Sequence, residues 1–154
     1  MERQKLFLIM RHGPSLHAGK LRICSTTGRL MLMHRAQRVT GFEGHFTVVA
    51  APEWDTLYTG RAIAELVETT VTPDISLSDG GDAPAPDELV RQLLADENPC
   101  VIVTHWGRMN KLLESIQTIS GINLTIDKVR MRHLNRAYIV DLGAKRAYVL
   151  KENS

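Results

Sequence analysis

The chain has 154 residues, 44% hydrophobic and 23% charged, which is the make-up of an ordinary soluble globular protein able to bury a core, so one domain over residues 1–154 is expected. With 19 basic and 17 acidic residues the net charge is +2, too balanced to indicate nucleic acid or an anionic membrane surface, and 5% aromatic residues offer no stacking platform for single strands. Cys24 and Cys100 lie far apart without metal-ligand spacing and read as reduced thiols; the amino-terminal MERQK and the run after it are too short for a signal sequence, and no stretch approaches a membrane span, so a cytoplasmic location is expected.

The apolar run Lys5 to Met10 predicts a buried strand that delivers Arg11, His12 and Gly13 at its carboxyl end, where open α/β sheets bind ligands. Arginine offers a planar fork of donors suited to phosphate oxygens, and a neighbouring imidazole can serve as base, acid or nucleophile. The loop from Gly13 to Thr27, with Pro14, Gly19 and a turn signal at Ser25 to Gly28, is long enough to wall a site. A helix over Arg29 to Val39, capped near Thr26 or Thr27, and a second buried strand at Phe46 to Ala50 follow. Pro52, Glu53 and Asp55 open a helix running to about Thr69, the acidic pair complementing its positive end.

Thr70 to Pro86 reads as loop apart from a short strand at Ile75 to Leu77, and Asp87 to Ala95 as a short amphipathic helix. Cys100 to Thr104 is a third buried strand, ending in His105, Trp106 and Gly107, and it precedes a helix over Arg108 to Ser120 that stops at Gly121. After a basic stretch, Lys128 to Arg136, two strands at Ala137 to Leu142 and Ala147 to Lys151 joined at Gly143 predict an antiparallel hairpin on the sheet edge. Alternating strands and helices without internal repeats predict the α/β class, with a mainly parallel sheet covered on both faces.

Several of these features together resemble the histidine phosphatase superfamily, which includes the cofactor-dependent phosphoglycerate mutases. They are the strand ending in Arg11-His12-Gly13, the turn at Thr27-Gly28, Ala51-Pro52 before the second helix, and the late strand ending in His105. The resemblance covers nearly the whole chain, and its length and the Arg22 to Gly28 stretch look most like the small bacterial branch typified by phosphohistidine phosphatases. It implies a phosphoglycerate mutase-like three-layer α/β/α sandwich, mainly parallel with an antiparallel edge. It also implies a phosphatase acting on a phosphomonoester or a protein phosphohistidine, so that the partner is a phosphorylated small molecule or a phosphoprotein. His12 then takes the phosphoryl group, Arg11 holds its oxygens and His105 is a second positive donor. Such chemistry requires preorganised cationic donors and no cofactor or metal, and the six histidines show no HxH or HExxH spacing. For His12 to attack, its reacting nitrogen must be unprotonated, so a backbone carbonyl or similar acceptor should hold the proton on the other nitrogen.

In that family the second helix opens with Ser-Pro, two residues, then a phosphate-binding arginine; alignment on Pro52 puts Asp55 at the arginine position. A carboxylate about 4 Å from a phosphate charge is repelled by roughly 4 kcal/mol at an effective dielectric of about 20. Three outcomes follow: Asp55 turns away, another cation replaces the arginine, or the site handles phosphate differently. Arg108 and Arg22 are candidate phosphate ligands, and Arg61 lies deeper in the helix. Asp79, Asp82, Asp87 and Glu88 are the acidic residues available as a general acid; without one, an easily departing imidazole from phosphohistidine suits the site best. The alternative is a degenerate member that keeps the fold and an anion pocket as a binding or regulatory module. Mutase activity is a lesser option, since the chain has no room for segments that enclose a sugar phosphate. The sequence carries no sign of oligomeric state.

Overall fold

Leu6, Leu8 and Met10 project to one face of the first strand and Phe7 and Ile9 to the other, and all five are buried. A strand covered on both faces has no polar alternation, which is why this run is continuously apolar. The computed structural model describes residues 5–18, 21–42, 44–126 and 137–150.

In chain order these are strands β1 (Leu6–Arg11), β2 (Ser15–Ala18) and β3 (Leu21–Cys24), helix α1 (Thr27–Thr40), strand β4 (Thr47–Ala50), helix α2 (Trp54–Leu66), strand β5 (Val71–Pro73), a 3-10 turn at Ile75–Leu77, helix α3 (Asp87–Ala95), strand β6 (Cys100–Thr104), helix α4 (Trp106–Ser120), and strands β7 (Thr125–Ile126), β8 (Ala137–Asp141) and β9 (Arg146–Val149). Seven strands form one sheet in the order β5-β4-β6-β1-β8-β9-β7. The first four are parallel to one another, β8 runs antiparallel to β1 with Ile9 opposite Tyr138, and β9 returns antiparallel to β8. Leu32, Met33 and Ala36 of α1 and Ile63 and Ala64 of α2 pack on the face carrying Leu6, Leu8 and Met10. Leu89, Val90 and Leu93 of α3 and Met109, Leu112 and Ile116 of α4 cover the face carrying Phe7 and Ile9. The expected three-layer α/β/α sandwich is therefore observed. No helix among the described residues is long and apolar enough to cross a membrane.

Three details differ from the sequence reading. The loop after Gly13 contains the antiparallel ribbon β2–β3, with Ser15 opposite Cys24. Its base closes on the exit of β1: Ser25 N donates to Pro14 O at 2.8 Å, and a Cβ on Gly13 would stand 1.7 Å from Ser25 O, so only glycine admits that approach. The segment expected as a strand at Ile75 to Leu77 is a 3-10 turn, because the Asp74 carboxylate accepts from Ser76 N at 2.9 Å and curls the chain; the edge strand lies just before it, at Val71–Pro73. The predicted terminal hairpin forms, yet β8 sits beside β1 inside the sheet and β7 flanks β9 at the edge. The basic stretch Lys128 to Arg136 lies outside the described residues.

Candidate active site

The carboxyl ends of β1, β4 and β6 lie side by side, joined past their last residues by His12 N donating to Thr104 O at 3.1 Å and Ala51 N donating to Val103 O at 3.0 Å. His12 therefore leaves β1 beside His105, the residue capping α4, and beside the first turn of α2. The two imidazoles meet edge to face with centroids 5.4 Å apart. Nδ1 of His12 lies 2.7 Å from Gly13 O. A carbonyl only accepts, so Nδ1 carries the proton and the neutral ring keeps its lone pair on Nε2. This is the backbone acceptor expected from the requirement for a nucleophilic histidine.

Nε2 of His12 faces Asp55 Oδ2 at 3.5 Å, longer than a good N–H···O bond. The other oxygen, Oδ1, accepts from Thr56 N at 2.9 Å, so Asp55 caps its own helix while aiming a carboxylate at His12. Of the three outcomes open at this position, turning away is not the one observed. Glu53, the cap residue of α2, sends its side chain away from the helix. Oε1 lies 2.7 Å from His105 Nε2, and Oε2 accepts from Ser78 Oγ at 2.9 Å. The side chains of His12, Asp55 and His105 are 12, 16 and 15% exposed, open enough for a ligand yet largely screened from water.

Buried groups behind the site hold it. Arg29, in the first turn of α1, donates Nε to Arg11 O at 2.6 Å and Nη2 to His12 O at 3.0 Å, fixing the backbone that carries the nucleophile candidate. Thr59 of α2 accepts from Gly13 N at 3.0 Å and donates to Asp55 O at 3.0 Å, which ties β1 to the helix bearing Asp55. Thr104 donates to Leu77 O at 2.6 Å, drawing the 3-10 turn and Ser78 toward the site.

His12, His105 and Asp55 are thus brought together, while the predicted arginines are distributed differently. Arg11 ends β1 with an exposed side chain. Arg108 is buried and donates Nε to Ser78 O at 2.6 Å and Nη2 to Ala83 O at 3.0 Å, so its fork holds the loop between the 3-10 turn and α3. Arg22 is exposed and lies over the Trp54 ring, 5.8 Å from its centroid. Arg61 is exposed on α2. Of the acids proposed as proton donors, Asp87 accepts from Ser115 and Glu88 pairs with Arg91 on the surface, while the Asp79 carboxylate rests against Gly107 in the first turn of α4. Glu53, 2.7 Å from His105 Nε2, is a second acid, beside Asp55, that contacts a site histidine. Sequence reasoning assigned it to the helix dipole, as acids at that position commonly are.

No protein-family model matches the chain, and no curated protein matches it. Solved structures do. A candidate phosphohistidine phosphatase SixA from Nakamurella multipartitia superposes with a TM-score of 0.53 at 17% identity, over 90% of this chain and 84% of that one. The protein histidine phosphatase SixA complexed with tungstate gives 0.53 at 15% identity over 92% of each chain. Phosphoglycerate mutase from Plasmodium falciparum gives 0.53 at 12% identity over 96% of this chain and 89% of that one. This chain has their fold. The phosphoglycerate mutase-like architecture expected from the histidine phosphatase resemblance is therefore the observed one, and His12, Glu53, Asp55 and His105 occupy the carboxyl-end cleft of that architecture.

Proposed function

We propose that the chain is a phosphatase that hydrolyses a phosphomonoester or a protein phosphohistidine through a phosphoryl group carried on His12. The observation that carries this reading is the bond from His12 Nδ1 to Gly13 O at 2.7 Å, which leaves Nε2 as the free nucleophile in the cleft. In the first step the Nε2 lone pair forms a bond to phosphorus as the bond to the leaving oxygen or nitrogen breaks. In the second, water attacks phosphorus, the N–P bond breaks, inorganic phosphate leaves, and Asp55 is near enough to take the proton of that water. His105 and Arg11 supply positive donors beside the transferred group, and the path uses no metal or cofactor. A protonated imidazole leaving group needs no further acid, which favours phosphohistidine and a phosphoprotein partner.

The second reading is a module that keeps the pocket without turnover. It is favoured by Asp55, which stands where the family resemblance puts an arginine and faces the nucleophilic nitrogen at 3.5 Å. An aryl phosphate and a phosphohistidine-bearing protein, assayed with the wild-type chain and a His12→Ala variant, separate the two. Hydrolysis that disappears with His12 supports the enzyme; equal background in both chains at every pH removes it in favour of the module.

A further inference from the structure

The charge reversal at Asp55 leaves a cleft built from two imidazoles and a carboxylate, a donor set that suits a cation better than an oxyanion. One ring nitrogen of His12, one of His105 and one oxygen of Asp55 lie within 4.8 Å of one another. Among the described residues, this is the one group of three histidine, cysteine or acidic side chains so placed. The 3.5 Å between His12 Nε2 and Asp55 Oδ2 is long for a hydrogen bond, whereas a tetrahedral ion with bonds of about 2.0–2.2 Å spaces its ligand atoms roughly 3.4 Å apart.

The surroundings point the same way. A metal-binding histidine usually has its second ring nitrogen held by a backbone carbonyl or a carboxylate, which sets the tautomer and the ring plane, and a metal-binding carboxylate is itself hydrogen-bonded. His12 is held through Nδ1 by Gly13 O at 2.7 Å, His105 through Nε2 by Glu53 at 2.7 Å, and Asp55 through Oδ1 by Thr56 N at 2.9 Å. Glu53 is in turn held by Ser78 Oγ. Two nitrogen donors and one oxygen suit a first-row transition ion, whereas magnesium and calcium take oxygen alone. Three protein ligands also leave a tetrahedral position for water or a phosphate oxygen.

We infer that His12, Asp55 and His105 form a binding site for a divalent transition-metal ion of the zinc class, and that the bound ion occupies the Nε2 lone pair and silences His12 as a nucleophile. The silencing rests on the phosphatase reading above; the binding does not. Calorimetric titration of the tag-free full chain with Zn2+, and the visible spectrum of the Co2+ form, read binding without reference to activity. One ion per chain is expected, with Asp55→Asn and His105→Gln each weakening it at least tenfold and Glu53→Gln by about 10- to 100-fold, as for loss of a carboxylate that holds a ligating histidine. Circular dichroism and the melting temperature identify variants that fold, and the near-isosteric Asp55→Asn is the decisive one. Zn2+ affinity equal in wild type and Asp55→Asn, or no binding to the folded wild type, overturns the site. In the hydrolysis assay, Zn2+ should inhibit wild type, a chelator should restore it, and Zn2+ acceleration overturns the silencing. Variant-sensitive Zn2+ binding without any His12-dependent hydrolysis upholds the site and removes the phosphatase reading. His12-dependent hydrolysis with no Zn2+ binding does the reverse.

Discussion

Asp55 holds a carboxylate oxygen 3.5 Å from His12 Nε2 in the cleft. Replacing it with asparagine keeps the side-chain volume and removes one negative charge about 4 Å from where an oxyanion on His12 Nε2 would sit, a relief of up to roughly 4 kcal/mol at an effective dielectric of about 20. Asp55→Asn should therefore bind tungstate far more tightly than wild type, seen as a larger rise in melting temperature at equal ligand, while its Zn2+ affinity falls. Equal tungstate shifts in the two chains would show that the carboxylate does not oppose the anion. The opposite signs for anion and cation make the single substitution informative about both. At this scale the site was partly legible. His12 and His105 are readable because each follows a short apolar strand, and Asp55 stands out as the wrong charge in a known pattern. Glu53 and Arg29 are not, since an acid opening a helix and a base within one are ordinary surface choices. Only the fold turns Glu53 toward His105 and buries Arg29 against the Arg11 and His12 carbonyls.

At the scale of elements, the position of α2 sets the distance from Asp55 to His12. Gly60 lies on its buried face, where a Cβ would stand 3.0 Å from Ala50 Cβ of β4 and 3.0 Å from Val71 Cγ2 of β5. Alanine gains about 1 kcal/mol of helix propensity over glycine, but two contacts this close in a packed layer cost about 1–3 kcal/mol or force the helix outward. Gly60→Ala should thus lower the melting temperature slightly and weaken Zn2+ binding, because the whole helix carries Asp55 and Glu53 with it. A raised melting temperature with unchanged Zn2+ affinity would show that the layer has slack. The elements themselves were legible where both faces of a strand are apolar, as in β1 and β6, or where a helix has strong periodicity, as in α3. The β2–β3 ribbon was not, because its strands are four residues each, too short to show a clear period. The 3-10 turn at Ile75–Leu77 was missed because Asp74 outweighs the local strand preference of an isoleucine and a leucine.

Across the whole molecule the sheet divides its tasks by end. The carboxyl ends of β1, β4 and β6 hold the cleft, whereas at the opposite end Lys5 joins the starts of β1 and β6. Its Nζ donates to Asp96 O at 2.7 Å and Asn98 O at 2.5 Å and lies 3.3 Å from Cys100 Sγ. Cys100 is buried there, and burial pushes its thiol up from 9.0 to about 11, with the Lys5 charge opposing the rise. The folded chain therefore disfavours the thiolate. Its contribution to stability is fully present below pH 9.0, is lost as pH rises through about 11, and amounts to roughly 3 kcal/mol for a displacement of this size. Burial raises the Tyr138 phenol as well, from its ordinary 10.0, so its own loss sets in above that pH in wild type and Cys100→Ala alike and leaves the difference between them to the thiol. Wild type should be more stable than Cys100→Ala near neutrality, where the filled core position counts, and the gap should narrow from pH 9 to 11 as the wild-type thiol is driven to ionise. Melting curves of the two chains across that range measure the gap, and a constant difference would mean that the Cys100 thiol ionises as readily folded as unfolded. Because Cys100 lies at the end of β6 away from the cleft, against Lys5, the alkaline loss is expected to reach the cleft through global unfolding. Zn2+ affinity of the fraction still folded should accordingly be the same for wild type and Cys100→Ala at each pH.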